Sequence, residues 1–243
     1  MSEALRPSPL DEKVDLTFTL PPKRMRFCTH EWQNDAYYFA SAIQEVYRLI
    51  GLCRLTEETR FVDIGCGQGR MAIGLQAVFP KLKSYTGFDV HAASVAWCNQ
   101  HLARANFQFR HVDTSNERYN PGGRAAVGLP SEDGSADVVF LYSVFTHMRL
   151  DDIRKHLKEI RRVLSPGGRC FLTLYSEDWQ APEEADPPGY LSELGPTSGA
   201  LHRVVVDKTA FGRACRDAAL SIEQLFYRSE VATKQSTYLL VAI

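Results

Sequence analysis

Apolar positions along the chain change period repeatedly, and each change marks an element. Tyr38, Ala42, Val46, Leu49 and Ile50 recur at helical spacing. They predict a helix over 35–52, with Asn34 or Asp35 as its cap and Gly51 as its stop. At 61–64 the pattern becomes that of a buried strand, with Phe61, Val62 and Ile64 around Asp63. YTGFDV at 85–90 and NFQFRHVD at 106–113 read as further strands, each ending near an acid. ADVVFLYSVFTHM at 136–148 is almost wholly apolar and reads as the fourth strand. LKEIRRVLSPGGRCFLTLY at 157–175 reads as a helix, a Ser-Pro-Gly-Gly turn and a fifth strand. Alternating strands and helices of this kind predict a parallel sheet. A helix over 208–219 and two strands, LSIEQLFYRS and STYLLVAI, close the chain.

The breaks are as informative. Residues 1–15 are polar with two prolines and predict a loose tail. A lead-in segment over 20–30 is held extended by Pro21-Pro22. The stretch 114–133 reads as a loop. The stretch 177–199 holds four prolines and several Gly-containing turn signals. A connection that long inside one domain suggests a functional loop. No internal repeat or low-complexity segment stands out.

FVDIGCGQGR at 61–70 carries the chemistry. Gly65, Gly67 and Gly69 alternate after the strand, and an apolar helix-like stretch follows. Glycine lets the backbone turn sharply and approach a ligand with no Cβ in the way. The helix start adds unpaired N–H groups and a positive dipole end. The spacing is G-x-G-x-G rather than the dinucleotide G-x-G-x-x-G, and no Gly-Lys-Ser/Thr follows. Asp63 would be unwelcome beside a pyrophosphate but suits an amino group.

Composition narrows the classes. With 243 residues, 44% hydrophobic and 23% charged, the chain suits one ordinary globular α/β domain. There are 28 basic and 29 acidic residues, so no basic surplus points to nucleic acid. The cysteines Cys28, Cys53, Cys66, Cys98, Cys170 and Cys215 form no Cys-x-x-Cys pair, which argues against a zinc or redox site. No secretory h-region and no run of ~18 apolar residues is evident, so a cytoplasmic protein off the membrane is expected.

The glycine motif, the acids at Asp89 and Asp113, the apolar fourth strand and the Ser-Pro-Gly-Gly turn occur in order. In that order they resemble the class I S-adenosylmethionine-dependent methyltransferases. LPPKRMRF at 20–27 is similar to the lead-in of a bacterial subgroup tied to small-molecule and glycan tailoring. The resemblance covers 20–243. It implies a Rossmann-like α/β sandwich of seven strands with the last antiparallel. It divides the chain into a tail (1–19) and a methyltransferase domain (20–243). Within that domain lie a cap segment and helix (20–55) and an acceptor loop (177–203).

It also implies site residues. Gly65 and Gly67, with Cys66 and Gln68 between and beside them, approach the methionyl and ribose portions of the cofactor. Asp63 holds the amino group, unless it only caps the loop. Asp89 fits the ribose diol by its spacing of about 20 residues from the glycines, or else caps a helix. Asp113, with Thr114, meets the adenine amino group, and Val90 covers the ring. Leu141 and Tyr142 offer backbone carbonyls at the end of strand four. Arg26, in preference to Arg70, takes the methionyl carboxylate. Trp32, Tyr37 and Tyr38 line the acceptor mouth or belong to the core. His147 is the candidate general base, since an unperturbed imidazole titrates near working pH, or else a helix-capping or core-edge histidine.

The expected reaction is methyl transfer to an oxygen or nitrogen of a small molecule. S-Adenosylhomocysteine is the product, no metal is needed, and the protein acts as a monomer or homodimer. A protein or RNA acceptor, or a binding module without turnover, are the alternatives.

Overall fold

The computed structural model describes residues 19–26, 28–124 and 128–243. The expected tail falls outside them, apart from Thr19. Strand β1 (Arg60–Ile64) alternates strictly: Phe61 faces one layer, Val62 and Ile64 the other. Period-two alternation with both faces apolar is what a sheet covered on both sides requires. Helices α1 (Asp35–Cys53), α2 (Arg70–Val78) and α3 (Ala92–His101) cover the Phe61 face. Helices α4 (Leu150–Val163) and α5 (Lys208–Asp217) cover the other.

Parallel neighbours run from β3 (Phe107–His111) through β2 (Ser84–Asp89), β1 and β4 (Ala136–Leu141) to β5 (Leu164–Glu177). The antiparallel pair β8 (Leu220–Phe226) and β9 (Ser236–Ala242) closes the sheet, with β9 antiparallel to β5. These seven strands are the Rossmann-like sandwich that the sequence implies. On the α1–α3 face, Phe107, Tyr85, Phe61, Phe140 and Phe171 stack from strand to strand, with ring centroids 5.2 to 6.1 Å apart. Cross-strand aromatic pairs of this kind tie neighbouring strands together.

Four expectations are corrected. Strand β4 stops at Leu141, and Phe145–His147 form a 3-10 turn, because Ser143 takes a left-handed conformation (φ 59°). Gly51 stays inside α1, which ends instead at left-handed Arg54; Asn34 caps its start through Tyr37 N (3.0 Å). The Ser-Pro-Gly-Gly segment bulges out within β5, whose pairing with β4 jumps from Leu164 to Arg169.

The fourth correction matters most. The stretch 177–199 is no open loop. It contains β6 (Glu183–Ala185), which pairs antiparallel with β7 (Val204–Asp207), and β7 lies parallel to the tip of β5. The sheet therefore has nine strands. Tyr175, Leu191 and Val205, with Trp179, Tyr190 and Leu194, give this rim its own small core. Glu177 accepts from Tyr190 Oη (2.7 Å), Tyr227 Oη (2.6 Å) and Arg228 Nη2 (2.8 Å), binding the rim to the β8–β9 connection.

Candidate active site

The glycine turn after β1 is held from both sides. Gly65 N and Cys66 N donate to Phe88 O at 2.7 and 3.0 Å. Gly65, Gly67 and Gly69 all have positive φ, and a Cβ on Gly65 would collide with Val144. At Gly67 (φ 51°) a Cβ would meet nothing within 4 Å, so there the bare backbone borders open space. That space is a cavity of about 380 Å³ at the carboxyl ends of β1, β2 and β4. An open α/β sheet binds ligands at this place.

Asp89 works on the turn directly. Its Oδ2 accepts from Gly67 N and its Oδ1 from His91 N, both at 2.7 Å. Burial pushes its carboxyl up, while the N–H groups of His91 and Gly67 hold it down. The residue in N-cap position at α3 is His91, so Asp89 clamps two segments rather than capping the helix itself. Asp63 is 2% exposed, and Tyr85 Oη donates to its Oδ2 at 2.7 Å. Burial pushes it up to about 7, raised further by Asp89 and opposed by Tyr85 and Arg70. A cation entering the cavity would favour the ionised form of this carboxyl.

Arg70 lies across from these acids. Its guanidinium sits over Trp32 (4.7 Å) and Tyr142 (5.3 Å) and donates to Ser41 O at 3.1 Å. Tyr142 Oη donates to the buried Glu230 (3.0 Å). Cys28, in a left-handed conformation (φ 87°), borders the cavity as an exposed thiol.

At the opposite wall, His147 Nδ1 donates to Leu201 O at 2.9 Å. A carbonyl only accepts, so Nε2 is the unprotonated nitrogen. Burial pushes this imidazole down to about 4, and the Arg118 charge adds to the effect. The ring meets Tyr119 edge-on at 5.5 Å.

The cavity brings together Asp63, Gly65, Cys66, Gly67, Gln68, Asp89, Val90, Thr114, Tyr142 and His147. It does not bring in three others. Arg26 is bound to Pro21 O, Trp32 O and Asp35 and lies over Tyr38, so it braces the lead-in segment. Asp113 faces outward, accepting from Asn120 Nδ2 (3.1 Å) with Arg124 at 3.6 Å. Leu141 is fully buried in the α4–α5 layer. Trp32 lines the cavity, whereas Tyr38 is core and Tyr37 is exposed. Cys28, Asn116, Tyr119, Met148 and His156 line it without having been singled out from sequence. Only His156 carried a signal, as a polar residue on the buried face of α4. None of 177–199 lines the cavity; that segment leads to Leu201, which holds His147. Among the described residues no group of three or more His, Cys, Asp or Glu could hold a metal ion. None of their helices is long and apolar enough to cross a membrane.

A parallel sheet, a glycine turn at its first strand and acids on the two central strand ends define a class I methyltransferase fold. Residues 62–172 match the methyltransferase domain family. A 27-O-demethylrifamycin SV methyltransferase from Amycolatopsis mediterranei is 31% identical over 51% of this chain and 42% of its own length. A tRNA U34 carboxymethyltransferase from Campylobacter curvus is 32% identical over 46% of this chain and 34% of its own length. The chain thus spans less than half the length of these curated relatives. The crystal structure of geranyl diphosphate C-methyltransferase from Streptomyces coelicolor, in complex with Mg2+, geranyl diphosphate and S-adenosyl-L-homocysteine, shares the fold. Its TM-score is 0.59 at 13% identity, covering 93% of this chain and 90% of that one.

Proposed function

We propose that this chain transfers the methyl group of S-adenosylmethionine to an oxygen or nitrogen of a small molecule. The observation that carries the reading is one cavity holding the Gly65–Gly67–Gly69 turn, buried Asp63 and loop-clamping Asp89, with His147 on the facing wall. The similarity to a 27-O-demethylrifamycin SV methyltransferase supports a small acceptor.

The cofactor supplies an already electrophilic methyl group, so the protein mainly aligns partners and excludes water. Asp63, once ionised, pairs with the amino group. Arg70 takes the carboxylate in place of Arg26, which is bound elsewhere. Each oxygen of Asp89 keeps a lone pair beyond its backbone bond, enough for the ribose hydroxyls. Cys66 and Gln68 belong to the turn, and Val90 and Thr114 border the base. Trp32 and Tyr142 wall the methionyl end with aromatic surface. His147 Nε2 accepts a hydrogen bond from the acceptor and aims its lone pair. With its proton affinity depressed, the imidazole stays neutral at physiological pH and orients more than it deprotonates. No metal enters this scheme. The protein works in the cytoplasm as a monomer or homodimer, with the domain running over 20–243.

Calorimetry with S-adenosylhomocysteine tests the cofactor, and transfer of labelled methyl from S-adenosylmethionine tests the acceptor. Micromolar binding is expected, with label passing to small amines or hydroxyl compounds, in excess chelator as well as without it. No heat and no thermal shift at millimolar ligand would refute the reading. Label found only in tRNA or protein would move the acceptor to those classes, and binding without any transfer would leave a non-catalytic module.

A further inference from the structure

His156 is an anomaly in α4. The helix buries Leu150, Ile153, Leu157, Ile160 and Val163, and a nine-tenths buried histidine sits among them. Its Nδ1 donates to Asp152 O, one turn back on its own helix, at 2.9 Å. That bond fixes the tautomer and leaves Nε2 as a bare acceptor. The Phe145 ring meets the imidazole edge-on (6.2 Å, 78°) and holds its plane. The ring borders the cavity, and no described residue donates to Nε2. The cavity lining also includes the apolar Val112, Leu129, Val144 and Met148, which pack against the core layer that α4 belongs to.

A buried acceptor in apolar surroundings calls for a donor from whatever fills the space. The position in the cavity says which part of the ligand that is. Arg70 begins α2 and Asp89 ends β2, while Leu129 donates its N–H to Glu159, three residues on from His156, and the next residue, Pro130, accepts from Arg110 of β3. Resting on the methyltransferase reading, we infer that His156 Nε2 accepts a hydrogen bond from the exocyclic amino group of the cofactor's adenine and selects adenosine over 6-oxo nucleosides. Asp113 does not compete for that group, since it faces outward in an ion pair with Arg124. A 6-oxo base would set a carbonyl oxygen against the Nε2 lone pair. Moving the proton to Nε2 would break the bond to Asp152 O, so the histidine cannot adapt without loss.

The test compares dissociation constants of S-adenosylhomocysteine and S-inosylhomocysteine for the wild type, His156→Phe and His156→Gln. The wild type should prefer the adenosyl compound by roughly tenfold or more, as a site with a misplaced polar partner does. In His156→Phe the preference should collapse towards unity. In His156→Gln, whose carbonyl can accept, part of it should return. Thermal unfolding of each variant without ligand separates lost selectivity from lost folding. A ratio unchanged in His156→Phe, or no preference in the wild type, overturns the assignment while leaving the methyltransferase reading intact. A wild-type chain that binds neither compound overturns both.

Discussion

Asp89→Asn keeps the side-chain volume and removes one acceptor. In the native chain the two carboxylate oxygens each take a backbone N–H at 2.7 Å, from Gly67 and His91. An amide can satisfy only one; its NH2 group then faces the other N–H. A hydrogen bond to a charged acceptor contributes about 1.5–3 kcal/mol net. For a domain of this size each kcal/mol moves the melting temperature by roughly 2–4 °C. The unliganded variant should therefore melt roughly 3–12 °C lower. The same loss, expressed as loosening of the Gly67 turn and one acceptor fewer for the ribose, should weaken S-adenosylhomocysteine binding by about 10–100-fold. Differential scanning calorimetry without ligand and isothermal titration with it read the two effects separately. An unchanged melting temperature with unchanged affinity would refute the reasoning. A drop in stability alone would make Asp89 a scaffold residue with no ligand role.

Asp63 sets a pH dependence. Its folded pKa near 7 lies above the unfolded value, so its contribution to unliganded stability is full below about pH 4 and is lost as pH rises to 7. A bound cation favours the ionised form, so affinity should rise up to about pH 7 with proton release, seen as buffer-dependent heat; buffer-independent heat at pH 6 would contradict it. Tyr85→Phe removes the hydrogen bond that lowers the Asp63 pKa and should shift that profile to higher pH. His147→Ala should lower kcat with cofactor affinity nearly unchanged, and the wild-type rate should show no His147 ionisation above about pH 5. Glu177→Ala strands Tyr190, Tyr227 and Arg228 and should cost about 2–4 kcal/mol in urea unfolding.

Elements whose pattern and local chemistry agree were legible in the sequence: α1 with its Asn34 cap, β1 with its glycine turn, and the closing β8–β9 pair. Others depended on tertiary partners. Apolar 142–148 reads as strand, but Ser143 N is taken by Thr173 Oγ1 (2.8 Å), which turns the chain out of the sheet. The prolines of 177–199 hide the short β6, whose pairing partner β7 lies about 20 residues further on and is invisible to periodicity. Among site residues, those fixed by backbone geometry, such as Gly65 and Gly67, could be read directly. Arg26 and Asp113 could not be placed, because side-chain direction depends on partners such as Trp32 O and Arg124. His147 lines the cavity, but its depressed proton affinity comes from burial that only the assembled walls supply.

Strand β5 changes neighbour part-way along its length: β9 flanks it through Leu174, and β7 takes over at Tyr175. The strand is thus a splice between two assemblies. Below the seam lies the scaffold that presents the glycine turn; above it stands the hairpin rim whose far end holds His147. Because rim and scaffold share a hydrogen-bonded strand, the wall opposite the cofactor loop is a fixed edge rather than a swinging lid. The other border of the cavity is formed by Cys28, Trp32 and residues of the 114–119 turn. The same seam offers a graft point, where a different hairpin could be joined at Tyr175 to reshape the acceptor side without touching the residues that face the cofactor.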